Sequence, residues 1–111
     1  LRGETLAAPE LVDLEVASVL RRQNRAGMLD NRRAQLALTD LGALPMVRAS
    51  HLALLRRCWE LRENVTTYDA AYVALAEALD AMLLTGDRRL AHAAGPTCTI
   101  ELLRTPPAAE S

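Results

Sequence analysis

Three carboxylates, Glu15, Asp69 and Asp87, lie among apolar neighbours, and none has a basic residue three or four positions away in the sequence. Charge set in apolar surroundings is costly unless it is paired, hydrogen-bonded or bound to a metal. A divalent cation is the economical way to hold several such groups together. The reading is therefore an acidic Mg²⁺ site, with Mn²⁺ as the alternative occupant. Each residue also has a plainer role. Glu15 fits a solvated helix edge. Thr66 and Asp69 have capping-box-like spacing, and an acid in a first helical turn is favoured by the helix dipole. Asp87 suits the N-cap of a short helix. A cap and a ligand are compatible, because a capped turn fixes the direction of its side chain. Asp87 and Thr85 also follow an apolar strand, and in open parallel sheets ligands bind beyond the carboxyl ends of the strands.

Other chemistry-bearing residues carry less. The two histidines, His51 and His92, read as exposed or capping side chains rather than as acid–base groups. Cys58 and Cys98 have no Cys or His at metal-ligand spacing and read as reduced thiols. Trp59, with Leu52 and Leu55, reads as core or as a dimer face, since one Trp and two Tyr make a poor base-stacking platform. All thirteen basic residues are Arg, so a phosphate contact would use guanidinium geometry. The net charge of −1 advertises no global attraction for a polyanion. At 111 residues the chain suffices for one domain with a core. No apolar run approaches the roughly 20 residues of a membrane span, no signal peptide is read in the sequence, and the expectation is a cytoplasmic protein.

The elements that must position these residues follow from periodicity and punctuation. Residues 5–8 read as a short extended entry, with Pro9 in the first turn of a helix that runs through Glu10 to Arg22 and is capped by Gly27. Asp30 caps a second helix to about Leu41, ended by Gly42 and Pro45. Met46 to Arg48 is extended. A third helix opens at Ser50 and closes at Asn64; a fourth, capped by Thr66 or Thr67, spans Tyr68 to Leu79. Met82 to Thr85 reads as a buried strand, Arg88 to Ala94 as a short helix stopped by Gly95-Pro96, and Cys98 to Leu102 as a last strand. Alternating strands and helices give an α/β fold with a short parallel sheet flanked by helices. Residues 1–104 form the domain and residues 105–111 a disordered tail.

Three segments together resemble the PIN-domain family, and within it the VapC-like toxins of bacterial toxin–antitoxin pairs. They are Ala8-Pro9-Glu10-Leu11-Val12-Asp13-Leu14-Glu15-Val16 with Val19-Leu20-Arg21-Arg22, Thr66-Thr67-Tyr68-Asp69-Ala70-Ala71-Tyr72-Val73-Ala74-Leu75-Ala76, and Leu84-Thr85-Gly86-Asp87-Arg88-Arg89-Leu90. The resemblance covers nearly the whole chain. It implies a three-layer PIN-like domain with Glu15, Asp69 and Asp87 as catalytic, metal-binding acids. The family's first acid is an Asp that ends an N-terminal strand, and the sequence from Leu1 onward contains no such segment. The expectation is that an N-terminal βα unit, with the fourth carboxylate, is absent from this chain. A separate N-terminal segment, a swapped strand or a partner would then complete the sheet.

The family implies a metal-dependent endoribonuclease in which the ion polarises the scissile phosphate and activates water. Thr85 and Thr66 would support the acids, and Arg88, Arg89 or Arg21 would meet the RNA. The resemblance further implies a homodimer and a small antitoxin that lays a helix or extended segment over an apolar groove. Two other readings stay open on the residues. One is a catalytically incompetent fragment that binds an antitoxin or itself. The other is an unrelated phosphotransfer domain that uses its acids for Mg²⁺.

Overall fold

The computed structural model describes residues 5–103. The expectations for Leu1 to Glu4 and for the tail at 105–111 lie outside the described residues. The chain divides between Ser50 and His51 into two compact units.

In the first unit, β1 (Leu6–Pro9) is followed by α1 (Val12–Arg25), α2 (Asn31–Ala43) and β2 (Met46–Ala49). β1 and β2 pair in parallel, from Leu6 opposite Met46 to Pro9 opposite Ala49. Pro9 thus ends a strand rather than opening a helix. It lacks an N–H, which a strand end tolerates, and the next residue, Glu10, donates to the Ala49 carbonyl at 2.9 Å. α1 outlasts the expected Arg22 by three residues. It closes in a Schellman motif: Met28 N–H reaches Gln23 C=O and Gly27 N–H reaches Asn24 C=O. Gly27 takes φ +78°, open to glycine without penalty. The Asp30 carboxylate accepts the Arg33 N–H at 2.8 Å and caps α2 as expected. Arg48 then ties helices to strand: its Nε donates to both oxygens of Asp13 (3.0 and 2.8 Å) and Nη2 to the Leu41 carbonyl.

The second unit contains a 3₁₀ turn (Leu52–Leu54), α3 (Leu55–Glu60), α4 (Thr67–Leu79), β3 (Leu83–Thr85), α5 (Arg88–Ala91) and β4 (Ile100–Leu102). The single helix expected from Ser50 to Asn64 is therefore broken into a 3₁₀ turn, a short α-helix and a run of turns. α4 is the core element. Ala70, Ala71, Val73, Ala74, Leu75 and Ala76 are buried along it, and its alanines let neighbours approach closely. Leu54, Cys58, Leu61, Val65, Leu83 and Leu90 complete the core. α4 ends at Asp80 in the left-handed region, where a short polar side chain is tolerated.

β3 and β4 also pair in parallel, Leu83 opposite Ile100 and Thr85 opposite Leu102. The described strands thus form two two-stranded parallel sheets, one in each unit. β3 is less buried than its apolar run suggests. Leu83 is buried, whereas Met82 and Leu84 are about half exposed, because side chains alternate between faces. α5 stops at Ala91, earlier than expected.

One polar network locks the second unit. Arg57 Nε donates to Glu77 Oε1 (2.6 Å), and Arg57 Nη2 donates to Glu77 Oε2 (3.1 Å) and to the Gly95 carbonyl (3.0 Å). The Thr97 N–H donates to Glu77 Oε2 at 2.8 Å. The bidentate hydrogen bond from Arg57 holds the Glu77 carboxyl below the usual carboxylate range, against a smaller desolvation effect. α3, α4 and the loop before β4 are thereby pinned together.

Candidate functional site

Two short helix starts build the site. Before α4, Thr66 adopts an extended backbone and its hydroxyl accepts the Asp69 N–H at 3.3 Å. That cap orients the first turn and leaves the Asp69 carboxylate projecting from it. After β3, the Thr85 hydroxyl accepts the Asp87 N–H at 3.0 Å, and Asp87 Oδ1 accepts the Arg89 N–H at 2.8 Å. Two successive side-chain-to-backbone turns thus fix Asp87 at the carboxyl end of the strand.

Both carboxylates open into one cleft of about 160 Å³. Thr66, Asn64 and Arg89 supply its other polar walls, and Val65 and Leu90 its apolar ones. Asp69 and Asp87 are each half-buried. Among the described residues, neither oxygen of Asp69 is engaged by a protein hydrogen bond, and Asp87 commits only Oδ1. The Arg89 guanidinium is almost fully exposed and 3.9 Å from Asp87 Oδ1. The oxygens facing the cleft are therefore available to a ligand.

The donor set suits a hard divalent cation. Mg²⁺ accepts one or two carboxylates and completes its shell with water and substrate phosphate. The cleft offers two carboxylates on separate backbone anchors, with open space beside them. Among the described residues no three His, Cys, Asp or Glu side chains are gathered to hold one ion.

Each residue singled out in the sequence has a definite place. Asp69, Asp87, Thr66 and Arg89 come together in the cleft. Thr85 does not line it; its hydroxyl is spent on the Asp87 backbone. Arg88 is exposed and outside the lining. Glu15 and Arg21 belong to the first unit, on α1. Glu15 is exposed, so its apolar sequence neighbours do not bury its charge: no residue of α1 is buried. Arg21 borders a separate groove between α1 and α2. His51 is exposed, and His92 Nδ1 lies 2.9 Å from the Arg88 carbonyl, a local contact within α5. Cys58, buried, and Cys98, half-buried, are free thiols whose desolvation pushes both upward in pKa. Trp59 is no core residue in this chain, at 67% exposure. Asn64 is the cleft residue that the sequence reading missed. It reads as a helix terminator, and only its place two residues before the Thr66 cap hints at more.

Comparison with known proteins supplies the lineage. The family model described as PIN domain matches residues 1–96. Ribonuclease VapC1 of Mycobacterium tuberculosis is 49% identical over 98 residues, covering 87% of this chain and 74% of its own. Ribonuclease VapC9 of the same organism is 42% identical over 106 residues, covering 93% and 81%. Ribonuclease VapC12 is 36% identical over 103 residues, covering 93% and 80%. A match over most of the chain, with three motifs in order and two of their acids in one cleft, makes this chain a member of the PIN-domain family whose relatives are VapC ribonucleases.

Proposed function

We propose that this protein is a divalent-metal-dependent endoribonuclease, the toxin of a bacterial toxin–antitoxin pair, acting on RNA in the cytoplasm. The carrying observation is the convergence of Asp69 and Asp87, distant in sequence, on a single cleft with unengaged carboxylate oxygens. Asp69 and Asp87 would hold Mg²⁺ or Mn²⁺, and Glu15 is assigned a metal-binding role by its place in the family motif alone. A cation held there supplies Lewis acidity toward the phosphate and a more acidic water.

The residues of the chain do the positioning. Thr66 and Thr85, through the backbone of Asp69 and Asp87, keep the two acids aimed into the cleft before substrate arrives. The exposed Arg89 guanidinium sits on the rim, where it meets the incoming phosphodiester and offsets the repulsion between carboxylates and RNA. Arg88, exposed beside Arg89 in the chain, is a further phosphate contact, and Arg21 keeps the RNA-contact role that the family motif implies.

The family ties such an enzyme to a small antitoxin and to a second copy of itself. The helices of the first unit support both partners. α1 and α2 bury no residue, and Leu14, Val19, Leu36 and Leu38 are exposed on them. No helix among the described residues is long and apolar enough to cross a membrane.

The test is cleavage of a labelled transcript panel with Mg²⁺, with chelator, and with Asp69→Asn. The reading requires cleavage in Mg²⁺, its loss on chelation, and its loss in the variant with an unchanged melting temperature. Chelator-resistant cleavage, or full activity in Asp69→Asn, refutes it.

A further inference from the structure

The chain has three aromatic side chains, Trp59, Tyr68 and Tyr72. Large aromatic rings ordinarily carry much of a small core. Here Trp59 and Tyr68 are each 67% exposed. Neither lines the acidic cleft, but both are close in the chain to residues that do. Tyr68 immediately precedes Asp69 in the first turn of α4. Trp59 sits near the end of α3, and the backbone from it to Asn64 is wound tightly: Arg62 N–H bonds Trp59 C=O at 3.2 Å, and Asn64 N–H bonds Leu61 C=O at 3.1 Å. At a rise of about 1.5–2 Å per residue, the Trp59 and Asn64 backbones lie within about 10 Å. That is about three stacked nucleotides, at about 3.4 Å each.

Trp59 is also prepared for stacking. The Arg62 guanidinium lies over its ring, 4.5 Å from the centroid, and Arg62 Nη1 donates to the Trp59 carbonyl at 2.9 Å. Arg62 is itself about half exposed. With this cation on the ring the indole is still largely exposed and the guanidinium half exposed, with the Glu63 carboxylate 3.7 Å from Arg62 Nε, so the pair presents surface to a further ring. Asn64, on the cleft wall and between this pair and Asp69 in the chain, has no hydrogen bond from its side chain among the described residues. Its carboxamide offers both a donor and an acceptor.

We propose that the turn Trp59–Asn64 is the nucleobase subsite of the enzyme: a base of single-stranded RNA, flanking the phosphate held in the cleft, stacks on the Trp59–Arg62 pair. Asn64 hydrogen-bonds the same strand, and Tyr68 stacks a base on the other side of Asp69. Stacking on an aromatic face with a nearby guanidinium is how proteins hold unpaired bases. Trp59, Arg62 and Asn64 are thus binding residues, and their contribution falls on substrate affinity rather than on the chemical step. The proposal rests on the ribonuclease reading.

Trp59 is the chain's single tryptophan, so its fluorescence reports the contact directly. The cleavage-dead Asp69→Asn protein is titrated with a fluorescein-labelled single-stranded RNA of about ten nucleotides, following RNA binding by anisotropy and Trp59 by quenching. Inorganic polyphosphate serves as the control for charge alone. The subsite predicts saturable quenching by RNA at the anisotropy midpoint, with none from polyphosphate. It also predicts that Trp59→Ala raises KM at least about tenfold while kcat changes little, and that Trp59→Phe recovers much of the loss. RNA binding without quenching, or an unchanged KM in Trp59→Ala, overturns the subsite. So does a Trp59→Ala protein that changes oligomeric mass in size-exclusion chromatography but binds RNA as before, which would make the face a protein interface. Wild-type protein that neither binds nor cleaves RNA overturns the ribonuclease reading itself, an outcome separate from these.

Discussion

Glu77→Gln isolates the network that holds α3, α4 and the loop before β4 in place. The wild-type carboxylate accepts two hydrogen bonds from Arg57 and one from the Thr97 N–H. An amide oxygen in the place of Oε2 keeps two of these donors as neutral-acceptor bonds, and the amide NH₂ in the place of Oε1 turns a donor toward the Arg57 Nε–H. Hydrogen bonds to charged groups contribute about 1.5–3 kcal/mol each, against about 0.5–1.5 kcal/mol for neutral ones. The Glu77 and Arg57 side chains are 14% and 31% exposed, so solvent screens part of the interaction, and Glu60 still partners Arg57 at 3.2 Å. The net loss is about 2 kcal/mol, or about 10 °C in melting temperature for a domain of this size. Glu77 is depressed in the folded state. Its stabilisation is therefore fully present above the unfolded carboxylate pKa of about 4.3 and is lost as pH falls through the folded value. The measurement is thermal unfolding by circular dichroism, wild type against Glu77→Gln, from neutral pH down to about pH 3. A gap that is constant near neutrality and closes in acid supports the account. A gap below about 0.5 kcal/mol at pH 7, or one that persists unchanged in acid, refutes it.

Substitutions at two further positions test the capping of Asp87 and the backbone at Gly95. Asp87→Asn keeps a side-chain oxygen for the Arg89 N–H, so thermal stability should hold within about 0.5 kcal/mol while RNA cleavage is lost; Asp87→Ala should lose both the activity and about 1 kcal/mol of stability. Equal melting temperatures for the two variants would remove Asp87 from the capping role. Gly95→Ala places a Cβ 3.1 Å from Leu61 Cδ2, in a backbone at φ +108°. It should cost about 2 kcal/mol in denaturant unfolding, and it should also weaken the Arg57–Gly95 contact; an unchanged midpoint would contradict the strain argument.

Local chemistry made much of the fold legible in advance. Thr66, Asp30 and Gly27 perform the stops and starts that their types imply, because capping depends on the few residues around it. The parallel pairing follows from alternating elements. Burial was less legible, for a different reason in each case. Glu15 has apolar sequence neighbours on a helix that buries nothing, so apolar composition did not translate into a low-dielectric setting. Met82 and Leu84 lie in an apolar run whose alternate side chains remain exposed. Pro9 satisfies the rule for a helix start and the rule for a strand end equally, and only the pairing with Ala49 decides between them.

The candidate site shows the same division. Asp69 and Asp87 were visible because each stands where a backbone device, a helix cap or a strand end, aims a side chain, and such devices are written in short sequence. Asn64 was invisible to the same reasoning, and Trp59 was read by it as core or dimer face rather than as a stacking surface. A terminator asparagine and a tryptophan at helical spacing have common structural roles, and those roles prevail until solvent exposure is known. What distinguishes them is a conjunction that no local pattern encodes. Arg62 reaches back three residues to lie on an exposed indole, while the next turn leads to the cleft wall. A core position would bury the ring, and a mere terminator would not face two carboxylates. If substrate recognition is built there, then specificity in this protein resides in the turn that delivers α4 to its cap, and the acids are the part shared by any sequence it cuts.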